Sequence, residues 1–140
     1  RQINDSMVEF VSSHIAARLT ASGAEILVLG LTFKKNVSDL RHSLVAKVIH
    51  ELRAKGHTVD VHDPHADNEE ALHEYGLELD TAALDGQFEL VVLAVPHQAY
   101  KAIGLDRLAS LVKPGGGFAD LKNCFPDVQV PMHVGRYWCL

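Results

Sequence analysis

The 140 residues contain two cysteines, Cys124 and Cys139, and no C-x-x-C pair, which excludes a disulfide framework and a cysteine-based zinc site. Both thiols are expected to be free. No apolar run approaches the roughly 18 residues of a membrane span, and the opening RQINDSMVEF has neither the basic-then-apolar order nor the small-residue cleavage site of a secretory signal. A soluble, cytoplasmic protein without a membrane partner is expected. Basic residues are outnumbered, 13 Lys and Arg against 18 Asp and Glu, and a net charge of −5 argues against a broad surface for phosphate backbones, so no nucleic-acid partner is expected. Glycine is short in one decisive place. The apolar run Ile26 to Leu29 ends in Gly30, as the first strand of a dinucleotide-binding unit does, yet the LTFKKNVSDLRHS that follows carries no second or third glycine.

What is present suffices for one globular core plus an appended element, with 47% hydrophobic and 22% charged residues. Residue 1 is Arg and the first segment reads as a helix already in progress, so the chain is expected to be a piece of a longer protein. Ile3, Met7, Phe10, His14 and Ala17 recur at three- and four-residue steps, with Val11 and Ile15 beside them, and predict an amphipathic helix over residues 4–21. A buried strand is expected from Glu25 to Gly30. Ser43 then caps a helix whose Leu44, Val45, Val48, Ile49 and Leu52 share a face, stopped by Gly56. A strand His57 to His62, a short helix Asn68 to Tyr75, a small strand at 77–79 and a one-turn helix Thr81 to Leu84 follow. Glu89 to Val95 is the clearest buried strand. Two short helices, Gln98 to Ile103 and Leu105 to Leu111, lead through a turn KPGGG to a last strand, Gly117 to Leu121, and an irregular tail.

Strands alternating with helices imply right-handed crossovers and an α/β fold: a Rossmann-like three-layer domain with a parallel sheet, preceded by an amphipathic linker helix. Ligands of such sheets sit beyond the carboxyl ends of the strands, which here offer the loop after Gly30, the Asp63 loop, the His97 turn and Lys122. In the first of these, Lys34, Lys35 and Arg41 precede a helix amino terminus and suit an anionic ligand. The ordinary alternative is a solvated basic turn in which Asp39 neutralises Arg41. A self-sufficient NAD site is disfavoured, because Thr32 stands at the second-glycine position and Asp63 comes about ten residues later than the usual acidic residue. His62, His65 and Asp67 are possible metal ligands, but a strand end broken by proline reads more simply as an exposed turn, and no metal is expected. His97 either orients a ligand or, the simpler reading, caps the next helix. Neither cysteine has a base in sequence to activate it, so both are read as structural.

Five segments together, RQINDSM, VLGLTFKKNVSDLRHS, VDVHDP, ELVVLAVPHQAY and GGGFADLK, resemble the C-terminal domain of the UDP-glucose/GDP-mannose dehydrogenase family in that family's order and across nearly the whole chain. The resemblance implies a domain that binds the UDP part of a nucleotide sugar, in an enzyme whose separate N-terminal domain binds NAD and whose product is the sugar C6 carboxylate. It implies that Phe33 and Lys34 are the pair contacting the UDP-sugar, that Lys122 is the basic residue contacting the nucleotide sugar, and that Arg41 reaches across the domain cleft toward NAD. Residues 1–22 would end the central helix that forms a homodimer or higher homo-oligomer, with 23–140 as the UDP-sugar domain. No catalytic residue is expected in this chain, since the family's cysteine and lysine lie upstream. Ser38, where proline is common, and lysine rather than arginine at 122 depart from the family pattern, and the D-L-K form resembles the bacterial UDP-N-acetylhexosamine branch, with UDP-glucose and GDP-mannose as alternatives. A non-enzymatic nucleotide-sensing module and an assembly domain are the rival readings on the same fold.

Overall fold

A computed structural model of the chain describes residues 9–15, 23–32, 40, 43–121, 125 and 130–138. Residues 9–15 are helical (α1), and the order then runs β1 (Glu25–Leu29), α2 (Leu44–Ala54), β2 (Thr58–His62), α3 (Asn68–Tyr75), a 3-10 turn (Ala83–Asp85), β3 (Phe88–Leu93), α4 (Gln98–Ile103), α5 (Leu105–Ala109), β4 (Val112–Asp120) and β5 (Arg136–Trp138). The strands form one sheet in the order β2-β1-β3-β4-β5, and every neighbouring pair is parallel. This is the three-layer Rossmann-like architecture expected, in the 2-1-3-4-5 order of the shorter doubly wound folds.

Side chains alternate across the pleat and so feed two cores. Ile26 and Val28 of β1 pack with Ala46, Ile49 and Leu52 of α2 and Ala71 of α3 on one face. Leu27 and Leu29 pack with Tyr100, Leu105 and Leu108 on the other. The helices end where their caps dictate. Ser43 Oγ accepts from Ala46 N at the start of α2, Asp67 accepts from Glu70 N at the start of α3, and Gly76 closes α3 in the left-handed conformation at φ 67°. In α1 the packed residues are Val11 and Ile15 whereas Phe10 is half exposed, so the buried stripe is rotated from the Phe10–His14 line that the periodicity suggests. The remainder of that stripe lies outside the described residues.

Two expectations need correction. The KPGGG segment is not a turn before the last strand but part of β4, and the tail is not irregular throughout, because β5 adds a fifth strand. Both follow from the glycines. Between Phe88 and Leu90 the register jumps from Val112 to Gly117, so the glycine run forms a bulge against β3. A Cβ on Gly116 would come within 2.6 Å of Glu89 O, and one on Gly135 within 2.7 Å of Gly115 O. With no side chains in the way, Gly115 N donates to His133 O at 2.8 Å and Gly135 N to Gly116 O at 2.8 Å, which docks the tail on the bulge. The short strand at 77–79 reduces to a single parallel bridge, Val61 to Leu79, and the one-turn helix to the 3-10 turn.

Candidate functional site

The strand order reverses between β1 and β3, and such a reversal opens the ligand crevice of a doubly wound sheet. Asp63, Thr32 and His97, the residues just past β2, β1 and β3, meet there and are buried. Asp63 Oδ2 accepts from Leu31 N at 2.6 Å, Thr32 N at 3.0 Å and His97 Nε2 at 2.9 Å. Its Oδ1 accepts from His65 N at 2.7 Å and Ala66 N at 3.2 Å, the turn that an Asp-Pro step at a strand end favours. Burial alone would raise this carboxyl, but the bonds from His97, Leu31, His65 and Thr32 outweigh it and hold the group down at about 2. It is a buried, fully paired anion at neutral pH.

A carboxylate can only accept, so His97 Nε2 carries a proton. Thr32 Oγ1 lies 3.1 Å from that same nitrogen. A hydrolytic relay needs acid and hydroxyl on opposite ring nitrogens, so these three side chains are a structural knot and not a nucleophilic triad. His97 stands at the amino cap of α4, but its side chain makes no capping bond; only its carbonyl does, accepting from Tyr100 N at 3.0 Å. His97 is thus the cap residue expected, but through its backbone, while the charge of Asp63 draws its ring inward.

The knot is the stem of the basic segment. Leu31 enters that segment and Ser43 leaves it, and Ser43 Oγ donates to Leu31 O at 2.6 Å across the gap. On the exit side the Tyr75 hydroxyl accepts from Ser43 N at 3.2 Å and donates to Leu40 O. Both ends of the 32–42 segment are therefore gripped by the β2–α3 unit, through Asp63 at the end of the strand and Tyr75 at the end of the helix. A second stem repeats the device. Asp120, buried at the end of β4, accepts on Oδ2 from Phe125 N at 3.1 Å and Tyr137 OH at 2.6 Å, while Leu121 N donates to Leu93 O at 3.2 Å. Tyr137 also stacks on Phe118, with ring centroids 5.6 Å apart. Residues 122–124 lie in sequence between these two fixed points.

Phe33, Lys34, Arg41 and Lys122 lie outside the described residues, as do Lys35, Asp39 and Cys124. Their stems converge on one end of the sheet, on both sides of the reversal. Among the stem residues, Asp63, His97 and Ser43 stand out in the sequence but in other roles, whereas Tyr75, Asp120 and Tyr137 do not. Asp-Pro after a strand was a usable signal for Asp63, and a lone acid closing an apolar strand for Asp120; nothing in the sequence marks Tyr75.

His62, His65 and Asp67 do not converge. His62 Nδ1 meets the Tyr100 hydroxyl at 2.8 Å, the His65 ring lies 4.5 Å from that of His97, and Asp67 caps α3. Among the described residues no group of three His, Cys, Asp or Glu side chains could hold a metal. The Tyr100 hydroxyl also donates to His62 O at 2.8 Å, and burial, with Asp63 nearby, raises the phenol far above its usual range and keeps it protonated. Burial lowers His62, against the pull of Asp63 and Asp80. Among the described residues no helix is long and apolar enough to cross a membrane.

A doubly wound sheet with stemmed loops at its reversal defines a domain of the nucleotide-binding α/β class. Residues 27–127 match the UDP-glucose/GDP-mannose dehydrogenase family, UDP binding domain, and the chain belongs to that family. It is 35% identical over 127 residues to UDP-N-acetyl-D-glucosamine 6-dehydrogenase of Pseudomonas aeruginosa, covering 87% of this chain and 30% of that enzyme. It is 40% identical over 146 aligned positions to protein CapL of Staphylococcus aureus, covering 100% of this chain and 34% of that protein. The solved UDP-N-acetyl-mannosamine dehydrogenase Cap5O from S. aureus shares the fold, with a TM-score of 0.76 and 22% identity over 98% of this chain and 31% of its own. The chain thus spans about a third of the length of these relatives.

Proposed function

We propose that this chain is the UDP-binding domain of a cytoplasmic, NAD-dependent nucleotide-sugar 6-dehydrogenase. The whole enzyme oxidises the C6 alcohol of a UDP-sugar to the carboxylate for polysaccharide precursor synthesis. The names of the relatives favour a UDP-N-acetylhexosamine over UDP-glucose. One observation carries the reading: the segments bearing Phe33, Lys34 and Lys122 are stemmed by buried carboxylates at one end of the sheet, where a doubly wound fold holds its ligand. Lys34 and Lys122 supply positive charge to the diphosphate as point charges, and Phe33 supplies an apolar contact. Those contacts are remote from C6 and equal in ground and transition states, so they set KM and leave kcat to the rest of the enzyme.

Arg41 lies next to Leu40, which Tyr75 fixes, and its proposed role is to face the NAD held by another domain. Residues 1–22 are the end of a linking helix through which the whole enzyme forms a homo-oligomer. A thermal-shift panel of UDP, GDP, UDP-sugars and NAD on this chain tests the assignment. UDP and UDP-sugars should raise the melting temperature and NAD should not; a shift from NAD with none from UDP would overturn it.

A further inference from the structure

In doubly wound nucleotide-binding folds the backbone N–H groups after the first strand hold a phosphate, since they point out of the strand end and carry partial positive charge. Here that pair is already engaged. Leu31 N and Thr32 N both donate to one oxygen of Asp63, whose side chain is wholly buried. The carboxylate is held in place from behind by His65 N, Ala66 N and His97 Nε2, so it cannot swing out to release them.

A second observation agrees. Gly30 follows β1 at φ 98°, and the space its missing side chain leaves is filled by the chain itself, since a Cβ there would come within 2.6 Å of Val95 Cβ and 2.8 Å of Val95 N. The glycine serves close packing of the β3 exit on β1, and not the approach of a cofactor. Moreover Asp63 directly follows β2, the place from which the acidic residue of an NAD fold reaches a ribose hydroxyl, but here it faces inward. The described residues therefore do not fit a dinucleotide.

We propose that Asp63 is a specificity-determining residue, an internal anion that occupies the phosphate position after β1 and closes it to the pyrophosphate of a dinucleotide. The substitution of an internal anion for a bound one accounts for a Rossmann-like domain that works without its glycines. It also keeps NAD out of the site meant for the second nucleotide in an enzyme that uses both. The nucleotide part of this inference rests on the UDP-binding reading; the closure of the phosphate position does not.

The test is titration of the nitrogen-15-labelled chain at neutral pH with inorganic pyrophosphate, NAD and UDP, read at the Leu31 and Thr32 amides. In the wild type both amides should stay protected from solvent exchange and unmoved by pyrophosphate or NAD. In Asp63→Ala the freed pair should raise pyrophosphate affinity at least about tenfold, with the largest shifts at Leu31 and Thr32, because each N–H then makes a charge-assisted bond to the ligand. Pyrophosphate or NAD binding at those amides in the wild type overturns the proposal, as does a folded Asp63→Ala protein with unchanged pyrophosphate affinity. Should the variant not fold, the wild-type titration decides alone. Failure of UDP to bind anywhere would remove the UDP reading while leaving the closure to be judged by the pyrophosphate result.

Discussion

Replacing Asp63 by asparagine keeps the volume of the side chain and removes one of its two acceptors. Oδ2 serves Leu31 N, Thr32 N and His97 Nε2, and Oδ1 serves His65 N and Ala66 N. Whichever way the amide turns, its NH2 faces two backbone N–H groups that have lost their acceptor. Buried donors left unsatisfied cost about 1–3 kcal/mol each, so the variant should lose roughly 3 kcal/mol. The depressed pKa arises from the same hydrogen bonds and agrees in size. A carboxyl lowered from 3.8 to about 2 corresponds to roughly 2.5 kcal/mol of preference for the ionised form. For a domain of this size the loss should lower the melting temperature by about 10 °C without unfolding the protein at room temperature. The sign of the pH dependence is fixed as well. The folded-state pKa is depressed, so the stabilisation is complete above about pH 4 and fades as pH falls toward about 2, and wild type and variant should converge over that window. Urea unfolding followed by circular dichroism at pH 7 and at pH 3, with exchange rates of the Leu31 and Thr32 amides, measures all of this. A loss below about 1 kcal/mol at pH 7 with both amides still protected would refute the stem.

Tyr75→Phe removes the hydroxyl that joins Ser43 N to Leu40 O and should cost about 1 kcal/mol in unfolding experiments, while raising the KM for the nucleotide sugar in the whole enzyme. Lys34→Ala or Lys122→Ala should raise that KM at least about tenfold with kcat and the KM for NAD nearly unchanged, as steady-state kinetics with each substrate varied would reveal. Arg41→Ala should do the reverse, raising the KM for NAD more than that for the sugar; a change confined to the sugar would reassign this residue.

The sheet was readable because its central strands are runs of branched apolar residues closed by a breaker, Gly30 after Ile26–Leu29 and Pro96 shortly after Leu90–Leu93, and because Ser43, Asp67 and Gly76 punctuate the helices as their chemistry requires. β5 was not readable. It has three residues, and its docking depends on a glycine bulge distant in sequence. The same limit governs the site. The basic segment announces itself by composition, but what fixes it is the convergence of positions 31, 32, 63, 65 and 97, which no local pattern encodes. In its own neighbourhood Asp63 resembles a displaced ribose ligand and His97 a cap. In the fold each is the other's partner. The four residues proposed as contacts, Phe33, Lys34, Arg41 and Lys122, rest on resemblance to the family and lie outside the described residues.

The central claim is that UDP sits at the carboxyl ends of β1, β3 and β4, held by side chains of the two stemmed segments. Mapping the backbone amide shifts of the labelled chain on addition of UDP tests this most directly. The largest changes should fall within residues 33–42 and 122–124, and the opposite end of the sheet, around Glu25, His57 and Lys113, should remain still. Shifts centred on that opposite end, or a saturable response to NAD that UDP does not compete with and does not reproduce, would contradict it.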